Sequence, residues 1–185
     1  MKLLINRTDI AEYRQISKTV FDKVLNQHIL DAQFIDVQKL LGADFYNDLI
    51  RNYTDSKYTT LLDGEDYTYQ SVTYTLIGLK AVIIHYAYSR YILAGSQTDT
   101  PFGYVEKTND NSQSVSDNSK KNMWKSNQQA AFNYWENVMD YLDRNASTFP
   151  LWETSCASTN QTFKISKIGG TSRGRPMTAS RFSYE

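Results

Sequence analysis

Residues 76–93, LIGLKAVIIHYAYSRYIL, are the most apolar stretch of the chain and decide its fold. A helix built from them is apolar around most of its circumference, so we expect it to be buried on most sides. Gly95 follows and is expected to end the helix. The stretch approaches the length of a membrane span, but Lys80, His85 and Arg90 interrupt it, and we expect no membrane contact. The sequence therefore predicts a bundle around a buried central helix.

The segments on either side carry apolar residues at helical spacing. Residues 21–41 form one predicted helix, whose start is uncertain as far as Asn26, and Gly42 is its stop signal. Its apolar residues recur at steps of three and four and are expected to share one face: Phe21, Val24, Leu25, Leu30, Phe34, Val37, Leu40 and Leu41. Residues 120–144 form a long amphipathic helix, which should pack on the central helix through Trp135 and Leu142.

Shorter helices are predicted over residues 9–16, with Thr8 as N-cap, and over residues 44–53 and 56–62. Residues 65–75 are rich in Tyr and Thr and allow a short strand or an extended loop, of which we favour the loop. The predicted fold class is all-α: a helical bundle around a buried central helix, with a long polar loop and an extended C-terminal arm.

The long polar loop comprises residues 96–119, which are rich in Asn, Ser and Asp and contain a turn signal at Pro101 and Gly103. Connections of this length in a compact domain are usually functional or disordered. We expect this loop to face a partner or a channel rather than the core, because its polar side chains cannot be buried well.

The charge distribution separates two regions. The chain has no net charge, with 20 basic and 20 acidic residues, but residues 1–153 hold 15 basic and 19 acidic residues. Residues 154–185 hold five basic residues against Glu185 alone. We therefore predict a helical connector domain over residues 1–153 and an extended basic arm over residues 154–185.

The arm has no helical period and cannot form a core of its own, so we expect it to lie against its own body or, preferably, against neighbouring chains. Its predicted partner-binding residues are Phe163, Ile165, Ile168, Arg173, Arg175 and Arg181. The arginines could contact phosphates or acidic protein surface. We favour protein, since the rest of the chain is acidic.

No catalytic residue, cofactor site or metal site is predicted, and the chain is not expected to be an enzyme. His28 and His85 have no second histidine or cysteine at metal-ligand spacing and are interpreted as structural. The nearby acidic residues 63, 65 and 66 lack the calcium-loop pattern and are interpreted as a solvated turn. The single cysteine, Cys156, excludes an intramolecular disulfide. The 14 tyrosines fit a core or an interface equally well.

Several stretches, taken in order, resemble the head–tail connector proteins of tailed bacteriophages, also called neck, adaptor or ring proteins, especially those of crAss-like phages. They are HILDAQ (28–33), LLGADFY (40–46), GLK (78–80), YAYSRY (86–91), TPFG (100–103) with Val105 and Lys107, and the helix that ends near FPLW (149–152). None is a catalytic signature, and their order and spacing say more than any one of them. The arm lies outside the resemblance.

The resemblance implies a subunit of a closed homo-oligomeric ring in the virion neck, between the portal protein and the tail. Dodecameric symmetry, contacts with neighbouring neck and tail proteins, and non-specific proximity to genomic DNA in the channel follow from it. Such a protein is made in the host cytoplasm and ends in the virion. The alternative from another class is a small helical nucleic-acid-binding or regulatory protein with a basic tail, which salt-dependent binding would distinguish.

Overall fold

A computed structural model describes residues 2–95, 97–101, 103–106 and 115–152. The chain is mostly helical, with two short hairpins. Its helices are α1 (Arg7–Tyr13), α2 (Asp22–Asp31), α3 (Gln38–Leu41), α4 (Ala43–Arg51), α5 (Ser56–Asp63), α6 (Leu79–Ala94) and α7 (Asp117–Arg144), and a π-helical turn (Ala32–Val37) joins α2 to α3. Its strands are β1 (Glu65–Tyr69), β2 (Val72–Leu76), β3 (Gln97–Thr100) and β4 (Gly103–Glu106).

Helix α6 is the centre of the fold, as the apolar stretch predicts. Even its polar residues His85 and Ser89 are fully buried. Helix α7 runs antiparallel along it: Gln128 donates to Ser89 (2.8 Å), whereas Asn137, further along α7, accepts from the amide of Ile77, just before α6 (2.9 Å). Gly95 ends α6, as expected.

The predicted start of the central helix at residue 76 is wrong by three residues, because Leu76 is the last residue of β2. Gly64 and Gly78 explain why the helix starts later than predicted. Both have positive φ (83° and 97°), and their backbones meet at the base of the β1–β2 hairpin. A Cβ at Gly64 would lie 2.4 Å from the carbonyl oxygen of Leu76. Only glycine allows this approach, so the chain turns here before it becomes helical.

The all-α prediction is therefore only partly right. Residues 65–75, predicted as a loop, contain the antiparallel hairpin β1–β2, with Tyr67 opposite Tyr74. The β propensity of Tyr and Thr outweighs the imperfect alternation. A second hairpin, β3–β4, lies in the predicted long loop and pairs Thr100 with Gly103 at its turn.

The predicted helix over residues 21–41 is one continuous rod, α2–π–α3. The π turn in it was not predicted from the sequence. Helix α1 begins earlier than predicted, and its N-cap is Asn6 rather than Thr8. The Asn6 side chain accepts from the amide of Thr8 (2.7 Å), and Asp9 accepts from the amide of Asn6 (2.7 Å). This reciprocal capping box satisfies amides that Thr8 could not.

The remaining helices follow the prediction within a few residues. Helix α5 ends before Gly64, and α7 starts at Asp117 behind the N-cap Ser116, three residues before the predicted start. Trp135 and Leu142 of α7 are buried, as expected. Phe149 and Trp152 close the body by packing on Phe45 of α4.

Candidate functional site

Four large apolar side chains on the α2–π–α3 rod and at its start are exposed, although the ring of Phe34 also contacts the core residue Tyr46. Their exposed fractions are 80% for Phe21, 46% for Val24, 54% for Phe34 and 40% for Ile35. We call these four residues the apolar strip. The predicted single apolar face of this helix is therefore wrong: the same rod buries Leu25, Ile29, Ala32, Val37 and Leu41. Helical spacing identified the apolar residues but could not assign them to two opposite sides.

The rod that carries the apolar strip is firmly anchored. Arg90 of α6 donates to both carboxylate oxygens of Asp36 at 2.8–3.1 Å. Burial raises the pKa of Asp36, and the bond to Arg90 opposes that rise. Gln33, fully buried in the π turn, accepts from the amide of Leu4 (2.9 Å) and donates to the carbonyl of Lys2 (3.1 Å). The strip is thus a fixed surface.

The β1–β2 hairpin, which precedes α6, offers a second exposed surface. Tyr67 stacks on Tyr74, with ring centres 5.7 Å apart, and its edge meets Tyr141 of α7. Arg144 lies over the ring of Tyr74 at 4.0 Å and donates to the hydroxyl of Tyr67 (2.7 Å). These contacts fix the base of the hairpin on α7.

The tip of the hairpin extends beyond these contacts. Tyr69 and Val72 are 36% and 51% exposed. The two turn residues, Gln70 and Ser71, have φ of 49° and 65°, a conformation that Asn and Gly adopt at lower cost. Strain of this kind is often found at functional sites.

A buried polar cluster joins α1, α6 and α7. Arg14 donates to Asn127 (2.9 Å) and lies 3.2 Å from Nδ1 of His85. Nδ1 of His85 also lies 3.3 Å from the side-chain oxygen of Asn127, so it faces one donor and one acceptor, whereas Nε2 is buried with no hydrogen-bond partner among the described residues. The ring stacks on Tyr134, with centres 4.8 Å apart. Burial and the neighbouring Arg14 lower the pKa of His85 to about 4.

These contacts agree with the structural role predicted for His85. The other histidine, His28, is half-buried with its ring edge against Tyr91, and burial lowers its pKa. Both rings therefore stay neutral at ordinary pH and serve as packing elements between helices.

A cavity of about 690 Å³, lined by apolar and charged residues alike, lies between the N-terminal segment and the starts of α2 and α6. Its charges are mixed and close to one another: Arg7 lies 3.4 Å from Asp22, and Lys80 pairs with Asp63. The acidic residues of the predicted solvated turn therefore have different partners. Asp63 pairs with Lys80, whereas Asp66 accepts from the hydroxyl of Thr75 (2.6 Å). Within the described ranges, no three His, Cys, Asp or Glu side chains are grouped to hold a metal ion.

The predicted partner-binding residues of the arm, from Phe163 to Arg181, lie outside the described residues, as does Cys156. The two surfaces that the structure does offer, the apolar strip and the hairpin, were not predicted as sites. For the strip, the available signal was an excess of apolar residues over what one helix face can hold.

In the part of the chain that the structure describes, no helix is long and apolar enough to cross a membrane. Neither the curated proteins nor the solved structures contain a significant match to the chain. One family does match, over residues 37–162, which is more than half of the sequence. This stretch contains α3 to α7 and both hairpins but not the apolar strip. The chain belongs to the family of unknown function DUF6712.

Proposed function

We propose that this protein is a structural subunit of the neck of a tailed bacteriophage. Copies form a closed ring between the portal and the tail, extend the DNA channel and dock the tail. Twelve copies would match the symmetry that the resemblance to head–tail connectors implies.

The apolar strip is the observation that carries the proposal. An anchored rod that leaves Phe21, Val24, Phe34 and Ile35 exposed, while its other side supplies the core, favours burial against another protein. Isolated exposed apolar residues are normal, but four of them within 15 residues of one anchored segment favour an interface. A ring subunit needs such a surface and a different one to meet it, because head-to-tail contacts use two unlike patches.

The positions of the two surfaces fit such an arrangement. Phe34 and Ile35 of the strip lie near the end of α6, where Arg90 holds Asp36, and the hairpin precedes the start of α6. Helix α6 has 16 residues and is therefore about 24 Å long. The part of the strip around Phe34 and Ile35 is thus separate from the hairpin, which allows each copy to contact two neighbours.

The stretches that resemble the connector proteins occupy structural joints. Gln33 holds the N-terminal segment, Gly42 (φ 82°) turns the chain from α3 into α4, and Gly78 turns it into α6. Arg90 anchors the rod, and Phe149 closes the core. Residues of this kind determine a scaffold, which supports the view that the resemblance concerns a shared architecture.

Native mass spectrometry of the full chain, alone and with the portal protein, followed by reconstruction of assembled particles, tests the proposal. We expect a closed ring on the portal axis, formed by the free chain or only after the portal is added. A reconstruction that places the chain away from that axis would rule it out. Tight, sequence-selective binding to DNA that persists at high salt would instead support the nucleic-acid-binding alternative.

A further inference from the structure

As far as the described residues show, the hairpin has one covered edge and one open edge. Asn137 of α7 donates to the carbonyl of Thr75 at 3.0 Å, so the base of β2 is covered. Strand β1 lies on the other side of the two-stranded sheet, and four of its five residues are exposed. A two-stranded hairpin is marginal by itself and gains stability from a third strand.

The register identifies the backbone groups at this edge. A two-residue turn makes Tyr69 and Val72 a hydrogen-bonded pair, and such pairs alternate along an antiparallel ladder. Asp66 and Thr68 therefore belong to the non-hydrogen-bonded pairs of the ladder. Their N–H and C=O groups point away from β2. Each of these groups can bond to an added strand.

The two faces of β1 differ in chemistry. Glu65, Tyr67 and Tyr69 share one face, and Asp66 and Thr68 share the other. The incoming strand should therefore carry apolar and basic residues at alternate positions on the first face, with polar or basic residues between them.

Residues 163–167 of the arm, FKISK, have this pattern. In one antiparallel register, Phe163 lies beside Tyr69, Ile165 beside Tyr67, and Lys167 beside Glu65. Lys164 and Ser166 then fall on the polar face, opposite Thr68 and Asp66. This register also places the outward backbone groups of Asp66 and Thr68 in hydrogen-bonded pairs, as strand addition requires.

The chain leaves the body near the hairpin. Tyr141 of α7 contacts both Tyr67 of the hairpin and Phe149, with ring centres 4.9 Å and 6.1 Å apart. Trp152 donates to Asp143 (2.7 Å), which is adjacent to Arg144. Residues 153–162 can span at most about 33 Å, so residues 163–167 can reach this edge of their own copy as well as that of an adjacent subunit.

We propose that residues 163–167 of one copy add as a third, antiparallel strand to β1 of the neighbouring copy. The choice of a neighbouring copy rests on the proposed ring. Each subunit then donates one strand and accepts one, so every strand edge is occupied only when the ring is closed. The repeated contact multiplies a weak strand addition around the assembly.

Disulfide trapping in the full chain tests this register. In a Cys156→Ser background, Tyr69→Cys combined with Phe163→Cys should form intermolecular disulfides on mild oxidation, seen as a ladder of multimers without reductant. Tyr69→Cys combined with Lys164→Cys is the matched control, because residue 164 lies on the opposite face and its Cβ is out of reach. We expect a clear ladder for the first pair and at most traces for the second.

A second pair of variants tests the edge itself. Thr68→Pro removes one outward N–H without breaking the β1–β2 ladder, and Thr68→Val keeps it. The proline variant should trap about tenfold less disulfide, since one lost hydrogen bond and the steric block cost about 1.4 kcal/mol or more. The valine variant should trap as much as the parent. Equal trapping by both would contradict strand addition at this edge.

Trapping is measured in the free chain over a range of concentrations and in the assembly with the portal. A ladder in either supports the proposal. A disulfide within one chain, similar yields for positions 163 and 164, or no product above the control would overturn it. A ring that forms without this disulfide contradicts only the strand addition, whereas trapped chains that do not close on the portal contradict only the neck function.

Discussion

Helix α6 and the α2–π–α3 rod differ in how far their apolar residues are buried. From Leu79 to Ser89, helix α6 is so deeply enclosed that it buries His85 and Ser89 as well as its aliphatic residues. The rod buries one side and leaves Val24 and Ile35 exposed on the other. Val24 and Ile35 thus contribute little to the core of the body. Loss of a residue from α6 should therefore affect folding, and loss of a residue from the strip should affect assembly.

The largest expected effect is that of a charge at the centre of α6. Ile84 is fully buried, so Ile84→Asp places a carboxylate where no partner compensates it. The cost of several kcal/mol is comparable to the whole stability of a domain, and we expect the variant to be unfolded or insoluble. Circular dichroism and thermal melting test this. Unchanged stability would refute the assignment of α6 as the central helix.

The next effect is a dependence of stability on pH that originates at His85. Its pKa is about 4 in the folded chain against an ordinary 6.5, so below pH 6.5 the unfolded chain binds a proton that the folded chain does not. The stabilisation is complete above pH 6.5 and is lost as the pH falls towards 4, by roughly 3 kcal/mol.

Urea unfolding at pH 7, 5.5 and 4.5 measures this dependence. His85→Gln should remove this part of the slope, whatever the carboxylates contribute. His28→Gln is the matched control: burial also lowers the pKa of His28, but its ring is only partly buried, so its share of the slope should be smaller. Parallel pH profiles for the parent and His85→Gln would contradict the prediction.

A smaller effect is expected where the rod holds the N-terminal segment. Gln33→Ala leaves the amide of Leu4 and the carbonyl of Lys2 without their bonds to the buried side chain, at a cost of about 1–3 kcal/mol. Gln27→Ala, at an exposed position on the same rod, should change stability by less than about 0.5 kcal/mol. Equal melting temperatures of the two variants would show that Gln33 does not hold the segment.

The smallest effect on folding, with the largest on assembly, is expected at the apolar strip. Val24→Ser combined with Ile35→Ser should keep the free energy of unfolding within about 1 kcal/mol of the parent, because both side chains are exposed. The same variant should reduce ring formation in native mass spectrometry. Leu25→Ala, one residue along but buried, should instead cost about 2–5 kcal/mol. Normal ring formation by the double variant would remove the strip from the interface.

Hydrophobic periodicity sufficed to predict α6, α7 and the rod, because each has enough apolar residues to show its period. It could not predict the hairpin, whose stability depends on the close approach of Gly64 and Gly78 and on the contacts of Arg144 with tyrosines. Both are tertiary effects. Nor could it separate Val24 from Leu25, since core and interface residues have the same chemistry. Their assignment needs the position of every neighbouring helix.

The π turn has a consequence for how this protein can change in evolution. A π turn holds one more residue than the α-helical path it replaces, so deleting one residue of Ala32–Val37 would yield a regular helix with unbroken hydrogen bonds. The secondary structure would survive, and α2 and α3 would keep nearly the same relative orientation, because the shorter α-helical path joins the same two ends. The same deletion within α2 would instead turn the residues before it by about 100° and move Val24 away from its exposed position. We therefore expect natural relatives that retain the rod to tolerate the loss of one residue in the π turn far better than a single-residue deletion within α2.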